Sequence, residues 1–219
     1  MAISKKEIQA RYERGAKHYD FVLQFYRLIG LRIVAYRRRV VELLRLKRED
    51  CVVDLGCGTG LNFPLLIEQI GSQGRVIGVD LSTEMLARAR ERAERAGWCN
   101  IELVQSDMAA YEFPHGVNGV LSTGAFGFVP EYERVIKRAL HALAPHGRLV
   151  ILDGKWPERW PFWLLKLFVW LSRPYGLTFE YFDRHPWESV EHSFEEPAME
   201  QMYGGLLYIS SGTAPSPAA

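Results

Sequence analysis

Short apolar runs alternate with longer amphipathic stretches through the middle of the chain. Each short run is bounded by glycine, proline or charged residues, which is typical of buried strands. The five runs span residues 51–55, 75–79, 101–105, 117–122 and 148–152. Apolar residues at helical spacing predict helices over residues 61–70, 82–96 and 131–143. Strands that alternate with such helices indicate an α/β fold with a parallel, doubly wound sheet.

The two ends of the chain follow other patterns. Residues 4–46 are predicted to be helical, with apolar side chains three and four residues apart and a break near Gly30. The segment YGGLLYIS, residues 203–210, predicts a last strand, and the Pro-, Ser- and Ala-rich residues 213–219 predict a flexible tail. The length of 219 residues predicts a single domain over residues 1–212.

Composition argues against several classes of protein. The chain is 48% apolar and 24% charged, and its net charge of +1 gives no overall attraction to nucleic acid. Three scattered cysteines predict neither a disulfide framework nor a zinc site, which fits a reducing cytosol. No apolar signal core begins the chain and no apolar run is long enough to span a bilayer, so we expect a cytoplasmic protein.

Positive charge is concentrated at the N-terminus. Residues 1–50 contain thirteen Lys or Arg against six Asp or Glu. A basic helix of this kind can contact phosphate or an anionic membrane surface. An ordinary solvated helix face explains the same pattern, and the sequence leaves both interpretations open.

A glycine turn follows the first strand of the predicted sheet. Its sequence, Gly56-Cys-Gly-Thr-Gly60, lets the backbone turn sharply and lets a ligand approach closely. Ligands of open α/β sheets bind at the carboxyl ends of the strands. A dinucleotide-binding turn has the spacing G-x-G-x-x-G, whereas here Leu61 follows a G-x-G-x-G run. The turn therefore suits a small amino-acid moiety better than a pyrophosphate.

Two carboxylates follow the next two strands. Asp80 comes twenty residues after Gly60, where it can accept hydrogen bonds from both ribose hydroxyls of a nucleoside. A nicotinamide enzyme would share this feature. Asp107 can accept a hydrogen bond from an adenine amino group, with Met108 against the ring. This second feature favours an adenosine-containing ligand other than a nicotinamide dinucleotide.

Five segments in order resemble the motifs of class I S-adenosylmethionine (SAM)-dependent methyltransferases. They read VVDLGCGTG, GVDLSTEML, VQSDM, VLSTGAF and ALAPHGRLVILD, and the resemblance extends over residues 15–153. It implies SAM as cofactor and a Rossmann-like sheet of seven strands, mostly parallel with the last strand antiparallel. The segment at residues 203–210 would form that last strand.

The resemblance also implies a role for each matching residue. Gly56, Gly58 and Gly60 would flank the methionine part of SAM, and Asp80 would hold its ribose. The remaining residues implied to line the site are Leu81 and Met85 at the adenine pocket, Asp107 and Met108 at the adenine edge, and Ser122 and Thr123 beneath the sulfonium. Asp54 would either contact the cofactor or fix the amide groups of the turn. The sequence departs from the family pattern at Asn118 and over residues 124–128.

The N-terminal pattern narrows the choice of acceptor. Tyr12, Ala16, Tyr19 and Asp20 resemble the first helix of methyltransferases that act on quinones and on phospholipid head groups. By that resemblance residues 1–46 would form a helical lid, and Tyr19 would contact the cofactor. A packed aromatic residue followed by a surface carboxylate is the simpler alternative.

Residues 156–174 form the most unusual segment, with four Trp and two Phe close to Lys and Arg. This composition is typical of a helix at a membrane interface, and it lies where the family often inserts substrate-recognition elements. A cover over the pocket or a dimer contact explains it equally simply. Our leading prediction is methylation of a lipid-like acceptor, the amine of a phospholipid head group, at the inner face of a membrane.

Carbon or oxygen methylation of a quinone or another small aromatic is the main alternative. A nicotinamide-dependent enzyme and a non-catalytic SAM-binding protein are further hypotheses. Tyr19 and Tyr26 are candidate walls of the catalytic pocket, and His185 is a candidate base, with His18 and Asp153 as weaker ones. No His, Asp or Glu cluster has metal-ligand spacing, so no metal is predicted.

Overall fold

A computed structural model describes residues 32–158, 160–172 and 177–216 of the chain. Its strands form one sheet in the order β3-β2-β1-β4-β5-β7-β6. The seven strands are β1 (Cys51–Leu55), β2 (Arg75–Asp80), β3 (Ile101–Gln105), β4 (Val117–Thr123), β5 (Leu143–Gly154), β6 (Glu195–Met202) and β7 (Leu207–Thr213). Strands β1 to β5 are parallel, and β7 is antiparallel to both of its neighbours. This topology confirms the Rossmann-like fold predicted from the sequence.

Helices lie between and beyond these strands. The described helices are α1 (Ile33–Leu43), α2 (Phe63–Ile70), α3 (Thr83–Ala96), α4 (Tyr132–Ala142), α5 (Phe162–Ser172), α6 (Phe179–Phe182) and α7 (Pro186–Ser193). Helix α3 begins and ends as its sequence predicts. The Ser82 hydroxyl accepts a hydrogen bond from the Met85 amide at 3.3 Å, and Gly97 ends the helix in the left-handed conformation.

The central strands of the sheet are buried on both faces because helices cover each side, and successive strand residues point to opposite sides. One core includes Val52 of β1 and is covered by apolar side chains of α1, α2 and α3. The other includes Val53 of the same strand and is covered by α4 and α7. A smaller cluster joins α5 and α6, with Leu165 and Val169 packed near Tyr181. None of the described helices is long and apolar enough to cross a membrane.

The structure corrects three sequence-based boundaries. Strand β6 was not predicted, because its residues EEPAMEQM are mostly exposed at the sheet edge and show no apolar alternation. Residues 203–205 form a 3-10 turn before β7 and are not part of the strand. The tail does not begin at residue 213, because Thr213 pairs with Arg148 in the sheet and Ala214 is buried.

Candidate active site

The glycine turn lies at the carboxyl end of β1. Gly56, Gly58 and Gly60 all have positive φ, of 68°, 55° and 75°. A Cβ on Gly56 would stand 2.5 Å from the Ala125 side chain, and one on Gly60 would stand 2.5 Å from the Phe63 ring. A Cβ on Gly58 would meet nothing within 4 Å. Two of these glycines therefore serve close packing, whereas the third borders open space that a ligand can enter.

Asp80 connects this turn to the end of β2. One carboxylate oxygen accepts a hydrogen bond from the Gly58 amide at 2.8 Å, and the other accepts from the Ser82 amide at 2.9 Å. Burial raises the pKa of the Asp80 carboxyl, and the backbone donors oppose that shift. The carboxylate thus lies directly beside the glycine that borders open space, where the sequence predicts a ribose.

A buried hydrogen-bonded network lies beneath the turn. The Asn62 side-chain nitrogen donates to both carboxylate oxygens of Asp54, at 3.1 and 3.0 Å. Arg37 of α1 donates from Nη1 to the Asn62 side-chain oxygen and to the Thr123 hydroxyl, each at 2.7 Å. Asp54 and Asn62 are completely buried, and Arg37 and Thr123 are nearly so. The network therefore links α1, the glycine turn and the end of β4.

The charge of Asp54 depends on this network. Burial raises the pKa of its carboxyl to about 7, whereas the Asn62 hydrogen bond and the Arg37 charge lower it. The nearby Asp80 carboxylate adds to the increase. The predicted contact of Asp54 with the turn amides is not among the hydrogen bonds described for it, and its carboxylate is held by Asn62 instead.

Four further candidates lie at the ends of β2 and β3. Met108 is nearly buried, and its methyl group would lie 3.5 Å from a Cβ on Gly56, so it borders the glycine turn. Asp107 accepts from the Ala109 amide at 2.9 Å, which shapes the chain after β3. Met85 is buried on the inner face of α3, and Leu81 is only partly buried.

Two hydroxyls end β4, and the structure gives them different partners. Ser122 is completely buried and donates to the Leu55 carbonyl oxygen at 2.8 Å, so its hydroxyl fixes β4 against β1. Thr123 accepts from Arg37 and, at 3.2 Å, from Asn62. The unusual Asn118 at the start of the same strand accepts from the Cys51 amide at 2.9 Å, which gives it a structural role.

The end of β5 holds the loop that follows β4. One Asp153 oxygen accepts from the Gly127 amide at 3.1 Å, and the other accepts from the Gly154 amide and the Tyr181 hydroxyl. A Cβ on Gly127 would stand 2.2 Å from the Tyr181 ring, so only glycine fits. Burial raises the pKa of Asp153, and its three donors oppose the shift. Asp153, a weak base candidate in the sequence, instead positions this loop.

Aromatic side chains gather beside that loop. We call Phe128, Trp156, Phe179, Tyr181 and Phe182 the aromatic cluster. Phe128 and Tyr181 meet edge to face at 4.8 Å, and Trp156 stacks on Phe179 at 5.8 Å between ring centres. The cluster lies next to the carboxyl ends of β4 and β5, the edge at which ligands of open α/β sheets bind.

Comparison with known proteins assigns the chain to a family. Residues 52–147 match a model described as a methyltransferase domain. The chain is 34% identical over 227 residues to the 2-phytyl-1,4-naphtoquinone methyltransferase of Thermosynechococcus vestitus. This alignment covers 93% of this chain and 97% of that protein. The chain belongs to the class I SAM-dependent methyltransferases. It is therefore a methyltransferase that uses SAM, and the nicotinamide-dependent alternative is wrong.

Two further comparisons bear on the acceptor and on the fold. The demethylmenaquinone methyltransferase of Listeria welshimeri is 28% identical over 70% of this chain and 65% of its own length. The solved structure of phosphoethanolamine N-methyltransferase 2 from Haemonchus contortus, in complex with SAM, matches with a TM-score of 0.67 and 18% identity. That match covers 83% of this chain and 53% of that chain, and it establishes a shared fold.

The residues of this methyltransferase fit SAM. The space above Gly58 gives a ligand access to the backbone, and the Asp80 carboxylate lies beside it. Met108 borders the same turn, with Asp107 next to it in the chain. These residues would hold the methionine, ribose and adenine parts of SAM as the sequence predicts. Within the described residues, no group of three or more His, Cys, Asp or Glu side chains could hold a metal ion.

Of the three predicted catalytic residues, the structure describes only His185. Tyr19 and Tyr26, together with His18 and the basic segment before Arg32, lie outside the described residues. His185 precedes α7, where its side chain lies 3.0 Å from Glu188 and its ring packs on Trp187 at 4.7 Å. The contacts described for His185 join it to no residue of the cofactor site, so its predicted role as a base lacks geometric support.

Sequence reasoning missed Arg37 and Asn62. A signal for Arg37 exists, because Arg37, Val40, Val41 and Leu44 recur at helical spacing and all four are buried. The arginine therefore occupies an apolar position of α1, where a charged residue needs a buried partner. The sequence signal for Asn62 is weaker, because a polar residue just before a helix resembles an ordinary helix cap.

Proposed function

We propose that this methyltransferase methylates a ring carbon of a lipophilic quinol, the reduced form of a naphthoquinone-type quinone. The observation that carries the proposal is the 34% identity with a 2-phytyl-1,4-naphtoquinone methyltransferase across 97% of that relative. The alignment is not confined to the SAM-binding residues 52–147, because it also spans the segments that surround the acceptor side. The comparisons thus favour the quinone alternative over head-group methylation.

The aromatic cluster supports an acceptor of this kind. Tyr181 and Phe182 are buried in the smaller apolar cluster that joins α5 and α6, and Phe128, Trp156 and Trp160 pack against it. Flat aromatic and apolar side chains suit a quinone ring with an isoprenoid-like chain better than a zwitterionic head group. The Asp153 hydrogen bonds keep the loop at Gly127 and the ring of Tyr181 in fixed relation.

In methyl transfer from SAM, the main task of the protein side chains is to align the cofactor and the acceptor. When bound, SAM supplies an electrophilic methyl group, and the acceptor carbon displaces the sulfur in line. The protein orients the two reactants and excludes water, which can account for much of the rate enhancement. Attack by a ring carbon is assisted by transfer of the proton of a ring hydroxyl to water or another base. The hydrogen on the methylated carbon must then leave as a proton, and the ring oxygen must be reprotonated, so that one proton is released for each methyl group transferred. Asp153 already accepts three hydrogen bonds, so we assign it to holding the pocket and not to taking the hydroxyl proton.

Methyl transfer to defined acceptors tests the proposal. The protein is incubated with methyl-labelled SAM and a reduced 2-isoprenyl-1,4-naphthoquinol in detergent micelles, and the product is analysed by mass spectrometry. We expect a product that carries one additional methyl group on the ring. Phosphatidylethanolamine in the same micelles serves as the competing acceptor. Label on the amine lipid and none on the quinol would contradict the proposal and restore head-group methylation.

We further propose peripheral contact with an anionic membrane at its cytoplasmic face. Helix α5 exposes Phe162, Trp163, Leu167 and Trp170, with exposed fractions between 43% and 67%. Lys166 lies over the Phe162 ring at 4.5 Å, which places a positive charge at the border of this apolar face. A face of this composition suits an interfacial helix, and lipophilic quinols reside in the bilayer.

Vesicle binding tests this contact. The wild-type protein and the variant Trp163→Ser/Trp170→Ser are sedimented with vesicles of phosphatidylcholine alone or mixed with phosphatidylglycerol. We expect the wild type to bind the anionic vesicles, and the double variant to bind at least about fivefold more weakly. Equal binding of both proteins, or absence of binding by the wild type, would contradict the membrane proposal and leave the acceptor proposal intact.

A further inference from the structure

Arg37 is a buried cation whose described hydrogen-bond partners are both uncharged. Its Nη1 donates to Asn62 and Thr123, and its Nε is buried without a hydrogen-bond partner. Burial of a charge is costly unless nearby groups compensate for it. The negative charge that compensates for the Arg37 charge is the Asp54 carboxylate. The side-chain amide of Asn62 lies between the two groups and is hydrogen-bonded to both.

The Asn62 amide joins the two ends of the cofactor turn. Asp54 precedes the three glycines and Asn62 follows them, so their hydrogen bonds close the loop of seven residues between them at its base. A carboxamide has one accepting and one donating end. Because Arg37 donates to the oxygen, the nitrogen must face Asp54. If the amide turned over, its oxygen would face a carboxylate and the closure of the loop would be lost.

We propose that Arg37 is a positioning residue for SAM binding, which fixes the orientation of Asn62 and, through it, holds Asp54 and the glycine turn. The same guanidinium holds Thr123, predicted to lie beneath the sulfonium, so one side chain of α1 sets two walls of the cofactor site. The proposal requires SAM as cofactor and is independent of the identity of the acceptor.

The position of α1 itself does not depend on Arg37 alone. Arg39 on the same helix forms an exposed ion pair with Glu200 of β6 at 2.6 Å. The Tyr36 and Tyr203 hydroxyls lie within hydrogen-bond distance, at 3.1 Å. Loss of the Arg37 contacts should therefore change the cofactor site without releasing the helix, and Arg39 offers a matched control that loosens the helix without touching the site.

Calorimetric binding of S-adenosylhomocysteine tests the proposal without any acceptor. Four proteins are compared between pH 6 and pH 9: the wild type, Arg37→Met, Arg37→Lys and Arg39→Met. We expect Arg37→Met to bind at least about tenfold more weakly than the wild type. Arg37→Lys keeps a positive charge and a donor, so we expect it to recover most of that loss. Arg39→Met should bind like the wild type.

The pH dependence separates positioning from a general structural role. The groups that face Asp54 are the Arg37 charge, the Asn62 amide, the Asp80 carboxylate and the buried Cys57 thiol. Without the Arg37 charge, Asp54 should ionise at higher pH. If binding uses the Asp54 carboxylate, affinity weakens as the pH falls, and this weakening should begin at a higher pH in Arg37→Met than in the wild type and return towards the wild-type pH in Arg37→Lys. Wild-type binding by Arg37→Met, an unshifted pH profile, or an equal loss in Arg39→Met would overturn the proposal. If Arg37→Met does not fold, Arg37→Gln takes its place, because it lacks the charge, and it must bind more weakly than both Arg37→Lys and Arg39→Met.

Discussion

The hydroxyl of Tyr181 donates a hydrogen bond to the buried carboxylate of Asp153, and the Tyr181 ring lies against Gly127 with no room for a Cβ between them. A carboxylate at the end of β5 thus fixes both the loop after β4 and a helix that comes much later in the chain. Because α6 contributes to the aromatic cluster, this contact fixes the cluster relative to the loop after β4, beside which we propose that the acceptor binds.

Tyr181→Phe removes the hydroxyl and leaves the ring in place. We expect the free energy of unfolding to fall by about 1–3 kcal/mol, because a buried carboxylate loses one of its three donors. The KM for the quinol should rise and the affinity for S-adenosylhomocysteine should not change, since Asp153 is not among the residues of the cofactor site. Chemical denaturation, steady-state kinetics and calorimetry measure the three quantities.

Tyr111→Phe is the matched control for this variant. Tyr111 is also buried, and it packs edge to face with Phe113 at 4.9 Å, apart from the aromatic cluster. We expect its KM for the quinol to equal that of the wild type. A rise in KM of the same size in both variants would show that the effect is general loosening and would contradict a specific role for the Asp153 contact.

The raised pKa of Asp54 predicts that the stability of the protein depends on pH. Burial raises its pKa in the folded protein from 3.8 to about 7, so the folded state holds the proton more tightly than the unfolded state. The resulting stabilisation is complete below about pH 4 and is lost as the pH rises to about 7, by up to roughly 1.4 kcal/mol per pH unit. In Asp54→Asn we expect the pH profile to lose this contribution, because an amide does not titrate, whereas Asp80 and Asp153, whose pKa values burial also raises, keep theirs.

Denaturation curves of the cofactor-free protein at several pH values measure that slope. Asp50→Asn, outside the cofactor site, controls for the removal of one carboxylate and should keep the wild-type pH profile. The difference between the two variants isolates Asp54 from the other groups that titrate in this range. Parallel profiles for Asp54→Asn and the wild type would refute the assignment.

The cofactor side of the fold was accessible to sequence analysis because its signals are local. The turn at Gly56–Gly60, the carboxylate of Asp80 and the strands around them lie in short contiguous segments with characteristic spacing. Strands β1 and β2 are buried on both faces, which produces the apolar runs that predict strands. The parallel half of the sheet therefore follows closely from the sequence, except that β5 begins at Leu143 and not at Arg148.

Features that depend on distant contacts were not accessible in this way. Strand β6 pairs only with β7 at the sheet edge, so its polar residues have no apolar pattern to reveal them. Arg37 is twenty-five residues from Asn62 and eighty-six from Thr123, and in sequence it resembles the exposed Arg38 beside it. The His185 prediction failed to find support for the same reason, because an isolated histidine carries no information about its neighbours.

His185→Asn tests the remaining catalytic candidate within the described residues. The side chain is 42% exposed and lies beside Glu188, so we expect kcat for the quinol to change by less than about threefold. A general base would give a loss of about 10²–10⁴. Glu188→Gln is the matched variant, because it removes the partner of His185 and should have an equally small effect. A loss of a hundredfold in His185→Asn alone would make this histidine the base.

Gly58→Ala and Gly97→Ala form a pair that separates backbone strain from cofactor contact. Both glycines have positive φ, of 55° and 69°, and in both cases a Cβ would meet nothing within 4 Å. The strain of a left-handed alanine should therefore lower the free energy of unfolding by a similar amount in each variant, about 1–2 kcal/mol. Gly97 ends α3, whereas Gly58 donates its amide to Asp80 in the cofactor turn.

The two variants should differ in SAM binding alone. In Gly58→Ala the new methyl group occupies the space through which a ligand reaches the turn, so we expect affinity for S-adenosylhomocysteine to fall at least about tenfold. In Gly97→Ala affinity should equal that of the wild type after both variants are shown to be folded at the temperature of the measurement. Equal affinities in the two variants would mean that the open space above Gly58 is not occupied by the cofactor.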